Sequence, residues 1–471
     1  MRERNMTTST VRGTLSRRQL LLGSLGAGLG LSLLRGAERL ARAAGTPGAS
    51  AKSTDRYYVF CYFSGGWDVL LGLDPRDPNV FNADAVDDTK IQPAYELLKS
   101  PVTNLLTEAA PGMVLGPYVG DLAKHGDKLA VVRGMSMDTL THEVGRRRFL
   151  TGKPPSGLLA RGSSIATWMA SLLGEEQPIP NLSSRVESYN TELPNFATGL
   201  RVNSVPDLVR ALKPGAAPLT STAEAQIEQL LALTASCPES QASPLLQAAE
   251  VSRQKLDEVM SATLDALFDF QAKTEAMSSL RSHYGIADTG TAALASPGAQ
   301  AALASQALKN GVSRVVSIEA TSGLDTHYDD WQSDHGPRQM AGMNAVARLI
   351  EDLAASEYAG TGTSWLDHTV IVGFSEFSRS PLVNDRGGRD HWLGNSCFLA
   401  GGPIQGGKVI GASSDLGMNP QAVNLKTGAL AADGAVVRPE HVLRALFHDL
   451  GVEGDPADLR EDPLLALLKT A

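Results

Sequence analysis

The sequence predicts an α/β fold with a mostly parallel central sheet and helices on both faces. Short apolar runs of strand length recur along the chain, and amphipathic helical segments alternate with them. The candidate strands are Tyr57–Phe63, Leu129–Val132, Val315–Ile318 and Thr369–Phe374. Such runs, apolar on both faces, are typical of central parallel strands that helices cover. The alternation of strand and helix favours an α/β sandwich.

Two helices can be read around the last two of these strands. Apolar residues from Met340 to Leu353 recur at helical spacing, which predicts an amphipathic helix between the third and fourth strands. A second helix is predicted over residues 297–310, just before the third strand. Ser296 is a typical N-cap there, and Pro297 is a typical first-turn residue.

The segment from about 154 to 296 has a different pattern. It opens with loops and short segments, and residues 221–235 and 243–277 then carry Leu, Ala, Gln and Glu at helical periods. We therefore predict a largely helical insertion at about 154–296 within a single α/β domain of residues 55–471.

The N-terminus is predicted to be a targeting segment. Arg17-Arg18 and the leucines that follow are typical of a twin-arginine export signal, and an apolar run then reaches Leu34. That run is shorter than the roughly 20 residues that a membrane-spanning helix needs. Small residues at Ala41 and Ala43 predict cleavage before Ala44, which leaves residues 1–43 as signal peptide and 44–54 as a Gly/Pro/Ala/Ser-rich linker.

This signal predicts an exported protein, periplasmic or extracellular, that uses the twin-arginine translocase and keeps no stable membrane span after cleavage. An uncleaved N-terminal anchor is the alternative. Residues 1–43 hold eight Arg and two Glu, so their removal takes the net charge from −9 to −15. A chain of this charge repels nucleic acid, which excludes that class of partner.

The spacing of the cysteines does not predict a thiolate metal cluster. Cys61, Cys237 and Cys397 are widely spaced and form no Cys-x-x-Cys pair. A Cys61–Cys397 disulfide and buried free thiols both stay open.

Polar residues follow the candidate strands at their carboxyl ends, where ligands bind in open parallel α/β sheets. A further Asp-His pair follows Gly387-Gly388. Carboxylates and imidazoles suit zinc, manganese or iron, and with fewer histidines calcium. The predicted ligands of such a divalent metal are Asp68, Asp325, His327, Glu376 and His391. For Glu376, an ordinary surface ion pair with Arg379 is the alternative.

Several motifs together resemble domain-of-unknown-function family 1501 over essentially the whole mature length. They are Phe63–Asp68 (FSGGWD), Asp325–His327 (DTH), Ser375–Pro381 (SEFSRSP), Gly388–His391 (GRDH) and Leu399–Gly407 (LAGGPIQGG). That family in turn resembles a distant branch of the alkaline phosphatase and sulfatase superfamily. The resemblance implies an alkaline-phosphatase-like three-layer sandwich with a one- or two-metal centre at the strand ends.

The resemblance also implies roles for the metal ligands. Asp68 would match the first-strand metal aspartate, Asp325 and His327 the later ligands, and His391 the final histidine. Where the superfamily has an Asp-His pair after a late strand, this chain has Glu376-Phe377. One imidazole ligand is therefore absent at that place.

The nucleophile stays open between two neighbours. By the resemblance Thr141 would be the nucleophile, or His142 would take its place as a ligand or base. Thr alone is a weak nucleophile, and metal coordination would be needed to activate it. Arg146 or Arg379 would balance charge on the transferred group.

Two functions follow as expectations. One is an exported metal-dependent hydrolase that acts on an anionic phosphate or sulfate ester. The other is a non-catalytic envelope protein that keeps the superfamily scaffold for binding or assembly, because fold alone does not settle function.

Overall fold

The computed structural model describes residues 55–154, 159–213, 220–243, 246–247, 250, 253–254 and 264–469. The expected signal peptide, residues 1–43, and linker, residues 44–54, lie outside these ranges. Within them, no helix has the length and apolar character needed to cross a membrane.

The described residues form fourteen strands, and all four apolar runs read from the sequence are among them. The strands are β1 Tyr57–Phe63, β2 Thr107–Ala110, β3 Met113–Leu115, β4 Leu129–Ser136, β5 Asn181–Ser184, β6 Leu200–Val202, β7 Val315–Thr321, β8 Thr369–Phe374, β9 Ser378–Arg379, β10 His391–Trp392, β11 Gly394–Ala400, β12 Lys408–Ile410, β13 Ala422–Val423 and β14 Ala435–Val436. Eight of them make the central sheet of the described chain, in the order β12-β4-β11-β8-β1-β7-β5-β6.

The central sheet is mostly parallel, as predicted. Strand β1 pairs in parallel with β7 and β8, and the β7-β5-β6 side and the β4-β12 edge are parallel as well. Strand β11 alone among these eight runs the other way, because it pairs antiparallel with both β4 and β8. It therefore begins at the edge of the sheet where its neighbours end.

Helices alternate with these strands, and the two that the sequence predicted are present as α8 and α9. The described α-helices are α1 Val86–Thr89, α2 His142–Thr151, α3 Ile165–Leu173, α4 Val205–Leu212, α5 Ser221–Ser236, α6 Pro238–Ala242, α7 Glu275–Tyr284, α8 Pro297–Lys309, α9 Gly336–Ala355, α10 Trp365–His368 and α11 Pro439–Asp449. A short π-helix, Trp331–His335, leads into α9.

Both faces of the sheet are buried under helices. Alternate residues of β1 enter two different cores because successive side chains of a strand point to opposite faces. Val59, Cys61 and Phe63 pack in one core with residues of α8 and α9. Tyr58, Phe60 and Tyr62 pack in the other with residues of α2, α3 and α11. This is the α/β arrangement that the sequence predicts.

All three cysteines are free thiols. Cys61 lies in the first of these cores and Cys397 in the second. Of the two alternatives for this pair, the structure has the buried thiols and not the disulfide.

Contacts divide the chain into a large unit, which includes residues 55–213 and 248–469, and a small unit. The described part of the small unit includes α5 and α6. The expected insertion at about 154–296 contains helices α3 to α7, but also β5 and β6, which join the central sheet. Its boundaries as a domain stay a prediction.

Helix α2 is fixed by a buried arginine. The Arg148 guanidinium donates to Glu440 on α11 at 2.8 Å and to Asp138 at 2.7 Å, and it also donates to the Met137 carbonyl. The side chains of Arg148 and Glu440 are each only 2% exposed. These bonds hold α2 against α11 and the end of β4.

We predict that Arg148→Met destabilises the protein by about 3–5 kcal/mol, because the Glu440 carboxylate would stay buried without its cation. Urea unfolding followed by circular dichroism measures this loss. The control is Arg460→Met, which removes an ion pair with Asp458 on the surface and should leave the unfolding midpoint unchanged. Equal midpoints for the two variants would contradict the prediction.

Candidate metal centre

Four chain segments bring polar side chains together at the carboxyl edge of the sheet. Asp325 and His327 follow β7, and Glu376 follows β8. His142 is the first residue of α2, which comes after β4. His391 lies just before the antiparallel strand β11, so it reaches the same edge. Strand direction therefore explains why these residues meet.

One oxygen of Asp325 is the centre of the cluster. Its Oδ1 atom lies 3.0 Å from Nε2 of His327 and 3.3 Å from Nε2 of both His142 and His391. The Nε2 atoms of His327 and His391 are 3.0 Å apart. Three imidazoles thus present the same ring atom to one carboxylate.

The second ring nitrogen of each imidazole faces an acceptor. Nδ1 of His142 lies 2.7 Å from Glu376 Oε1, and Nδ1 of His327 lies 3.0 Å from Asp390 Oδ1. Nδ1 of His391 lies 2.6 Å from the carbonyl oxygen of Leu140. A neutral imidazole that donates through Nδ1 carries its proton there, and its Nε2 then carries a lone pair.

Lone pairs beside a carboxylate are balanced by positive charge, which Arg379 supplies at His327 and which a metal ion would supply at His142 and His391. Nε2 of His142 is buried and has no hydrogen-bond partner among the described residues. Histidines that bind metals in proteins have this arrangement, with one nitrogen on the metal and the other on a carboxylate or carbonyl. The donor set therefore fits a metal ion on its own geometry.

The spacing of the donor atoms also fits a metal. One ligand atom from each of His142, Asp325 and His391 lies within 4.8 Å of the others. Four ligands at about 2.0–2.1 Å around a tetrahedral zinc are about 3.3 Å apart, close to the separations from Asp325 Oδ1. Nε2 of His327 lies 3.3 Å from Arg379 Nη1, so it faces that guanidinium as well as Asp325. Three donors leave a position open for water or substrate.

Local charges shift the pKa values of these groups. Burial lowers the pKa of His142, but its hydrogen bond to Glu376 and the charges of Glu376 and Asp325 outweigh burial and raise it overall. Burial raises the pKa of Asp325, but Arg379 outweighs it and holds this carboxyl well below its usual range. Burial, with the nearby Arg379 charge, lowers the pKa of His391. Asp325 is therefore ionised, as a ligand must be.

Arg379, which the sequence predicted as catalytic, lies buried beside the cluster. Its Nη2 donates to Asp325 Oδ1 at 2.8 Å and to the carbonyl of Gly65, and its Nε donates to Gly66. Nη1 lies 3.3 Å from His327 Nε2 and from the carbonyl of Arg389. The guanidinium side chain is 0% exposed, so it orients Asp325 from within the protein.

Asp68, predicted as a metal ligand, has other partners. Its Oδ2 accepts from the Trp331 indole at 2.9 Å and lies 3.2 Å from Nε of Arg389, and its Oδ1 accepts from the amide of Leu70. Both Asp68 and Arg389 have fully buried side chains. The carboxylate is therefore committed to a structural ion pair and is not placed among the donor atoms.

Glu376, also predicted as a ligand, lies behind His142. Its Oε1 accepts from His142 and from the amide of Gly65 at 2.9 Å, and its Oε2 accepts from Ser375 at 2.9 Å. The Phe377 ring packs against His142, with ring centroids 4.8 Å apart, and against His391 at 4.3 Å. Glu376 and Phe377 therefore support imidazoles that other segments supply.

Thr141, the second residue predicted as catalytic, is the N-cap of α2 and is exposed. Its side chain makes no capping hydrogen bond to the helix, although a threonine at this position usually does. Its hydroxyl is therefore not committed to the helix end, and it is adjacent in sequence to His142.

Sequence reasoning missed two groups that orient the imidazoles. Asp390 was visible as half of the Asp390-His391 pair, but only the fold shows that it serves His327. The carbonyl of Leu140 serves His391 through the backbone, so no side-chain pattern marks it. His142 was expected as a ligand or base in the place of Thr141, and its Nε2 lies among the donor atoms.

These features define a class of protein, namely an α/β protein with imidazole and carboxylate donors at the carboxyl edge of its sheet. A family model described as "Protein of unknown function (DUF1501)" matches residues 58–437, and the chain belongs to this family. Among solved structures, "Crystal structure of Ps i-CgsB in complex with k-i-k-neocarrahexaose" matches with 10% identity and a TM-score of 0.36, covering 87% of this chain and 75% of that chain. A comparison with curated proteins found no match.

We predict that Asp68→Asn lowers stability by about 3–5 kcal/mol and leaves metal content unchanged. The loss arises because Arg389 would stay buried without its carboxylate. Urea unfolding and metal analysis by mass spectrometry measure the two quantities, with exposed Asp433→Asn as control. If Asp68→Asn protein loses its metal instead, Asp68 is a ligand as the sequence predicted.

We predict that Gly145→Ala weakens metal binding by roughly 10–100-fold, the range typical of disturbed supporting shells. A Cβ at Gly145 would lie 2.3 Å from the Glu376 carbonyl oxygen, so α2 must move and take His142 with it. Zinc titration by calorimetry measures the affinity. Val144→Ala, on the same helix without that clash, is the control, and equal affinities for both variants would rule out this role of the close contact.

Proposed function

We propose that the protein is an exported, metal-dependent hydrolase of phosphate or sulfate esters on an alkaline-phosphatase-like scaffold. The observation that carries the proposal is the convergence of three imidazole Nε2 atoms on Asp325 Oδ1, with each Nδ1 held by an acceptor. Such preorganised donors suit a catalytic metal with a free position.

The residues that would hold the ion are His142, Asp325 and His391, and His327 lies beside them between Arg379 and Asp390. Imidazole-rich sites favour zinc, manganese or iron, whereas calcium prefers oxygen ligands. When bound, such an ion would polarise the ester and lower the pKa of a bound water.

The chain's own groups would keep this site in place. Glu376, Asp390 and the Leu140 carbonyl fix the imidazole tautomers, and Arg379 keeps Asp325 ionised and oriented. In hydrolysis a bond forms between a water oxygen and the phosphorus or sulfur, and the bond to the alcohol oxygen breaks. The alcohol takes one proton of that water, and the other stays on the product acid, which loses it to solvent only if its own pKa lies below the pH.

Thr141 gives a second route to the same products. Its exposed hydroxyl would first form a bond to the phosphorus or sulfur as the alcohol leaves, and water would then release the acid from Thr141. Thr141→Ala separates the routes, because it abolishes turnover only if the threonine is the nucleophile.

The superfamily likeness is supported by the mostly parallel sheet and the site at its carboxyl edge. The imidazole that the sequence lacks at Phe377 has a counterpart in His142, whose ring packs on Phe377. The non-catalytic alternative is favoured by one observation, namely that Arg379 and Asp68 are both engaged within the protein.

We predict that His391→Ala removes bound metal and lowers ester hydrolysis by at least about 100-fold, as for loss of a group essential to the transition state. Metal content and hydrolysis of 4-nitrophenyl sulfate and phosphates would be measured on protein purified after export. His368→Ala, which alters a ring stacked on Tyr358, is the control.

Treatment with a chelator should abolish hydrolysis, and zinc, manganese or iron should restore it. Bound metal without turnover of any ester would favour the non-catalytic alternative. Protein that carries no transition metal, with His391→Ala indistinguishable from wild type, would overturn the proposal.

A further inference from the structure

The short π-helix before α9 places a histidine behind the site. His335 is the last residue of this π-helix, and its side chain is completely buried. Its Nδ1 lies 2.7 Å from the hydroxyl of Thr326, and its Nε2 lies 3.3 Å from Oε1 of Gln339. Thr326 and Gln339 are buried as well. A π-helical turn is rare and often lies at a functional site, so we ask what this ring holds in place.

The partners of Gln339 fix the tautomer of the His335 ring. Oε1 of Gln339 accepts from the amide of Asp68 at 2.9 Å, and its Nε2 donates to the carbonyl of Asp68 at 3.1 Å. The atom that His335 Nε2 faces is therefore an acceptor, so this nitrogen carries the proton. Burial, with the nearby charge of Arg379, holds the pKa of His335 well below its usual value and keeps the ring neutral. Nδ1 then carries a lone pair, which accepts from the Thr326 hydroxyl.

Thr326 connects three residues of the cluster. It lies between Asp325 and His327 in sequence, and its side chain is buried whereas theirs are partly exposed at the cluster. Its carbonyl accepts from the amide of Arg389 at 3.3 Å, two residues before His391. A shift of Thr326 would therefore move Asp325 and His327 directly, and His391 through this backbone bond.

We propose that His335 is a positioning residue, which holds Thr326 through its Nδ1 and thereby fixes the positions of Asp325 and His327 in the cluster. The inference rests on the metal site of the proposed function and not on its ester chemistry. A buried hydroxyl is unfavourable without a partner, so the bond to Nδ1 gives Thr326 one stable orientation. Through Gln339 the same ring is linked to the backbone of Asp68, so the turns that follow β1 and β7 are held together.

The first experiment removes the two ring nitrogens separately. His335→Asn keeps a polar acceptor at the place of Nδ1, whereas His335→Gln keeps a donor at the place of Nε2 and leaves Thr326 without its acceptor. We expect zinc binding roughly 10–100-fold weaker in His335→Gln, the range typical of disturbed supporting shells, and near wild type in His335→Asn. Titration calorimetry measures both affinities. Equal affinities of the two variants would overturn the inference and leave His335 as a residue of the core.

The second experiment uses a spectroscopic signature to separate positioning from stability. Co²⁺ binds the same imidazole and carboxylate ligands as Zn²⁺, and its visible absorption changes with their arrangement. At saturating Co²⁺ we expect shifted bands in His335→Gln and unshifted bands in His335→Asn. Leu349→Ala, which opens a cavity under a buried position of α9, is the control for lost stability and should leave the bands unchanged. Wild-type bands in His335→Gln would overturn the inference.

The third experiment is a double-mutant cycle on the hydrogen bond itself. Thr326→Val removes the hydroxyl at nearly constant shape and should weaken zinc binding as much as His335→Gln does. The double variant should lose no more than either single variant, because both break the same bond. Losses that add would show that the two residues act separately, which would overturn the inference. If His335→Gln does not fold, Thr326→Val decides, with Thr326→Ser, which keeps the hydroxyl, as its control.

Failure of the proposed function is read separately. Band shifts as expected without hydrolysis of any ester would overturn the hydrolase proposal and leave this inference standing. If wild-type protein binds neither zinc nor cobalt, the proposed function fails, and NMR of metal-free protein labelled with ¹⁵N-histidine decides the inference. We then expect His335 to be protonated on Nε2, and Thr326→Val to change the signal of the His327 Nδ1 proton, which faces Asp390. The other tautomer of His335, or an unchanged His327 signal, would overturn the inference.

Discussion

Three imidazole lone pairs that face one carboxylate oxygen form the constraint on which the site depends. Without a cation, this arrangement would place like partial charges about 3 Å apart, which is unfavourable. The fold nevertheless builds it from three separate segments and fixes each ring by its other nitrogen. Arg379 supplies positive charge at Asp325 Oδ1 and His327 Nε2, and the Nε2 atoms of His142 and His391 lie on the other side of the cluster.

Strand direction makes the arrangement attainable. Parallel strands end at one edge, so residues that follow β7 and β8 meet there although they are about fifty positions apart in sequence. Strand β11 is antiparallel and brings His391 to the same edge at its start. Helix α2 adds His142, and the buried bonds of Arg148 keep that helix in register with the end of β4.

The parts of this structure that the sequence predicts are those with a repeating apolar signal. Strands β1, β4, β7 and β8, and helices α8 and α9, all bury runs of apolar residues with a clear period. Strand β5 was not predicted, because its sequence is Asn-Leu-Ser-Ser and three of these four buried residues are polar. Such a strand is stabilised by hydrogen bonds to its neighbours and is not marked by hydrophobicity.

Only the part of the site that local sequence patterns mark could be predicted. Asp325, His327 and His391 were identified from residue type and position at strand ends. Asp68 is held by an ion pair with Arg389, a partner more than 300 residues away in sequence. No local pattern indicates such a pair. The role of Glu376 depends in the same way on His142, and distinguishing a ligand from its support requires the distances between segments.

The segment Thr369–Pro381 shows how a buried strand can run into charged residues. Burial of an ion costs several kcal/mol unless partners replace its water, and both charges here have such partners. Glu376 accepts from a ring, an amide and a hydroxyl, and Arg379 donates to three carbonyls and a carboxylate. Buried ion pairs of this kind add little stability compared with apolar packing, so stability does not account for them. Their effect is geometric, since one charge orients His142 and the other orients Asp325, and Phe377 between them is the surface on which the imidazoles pack.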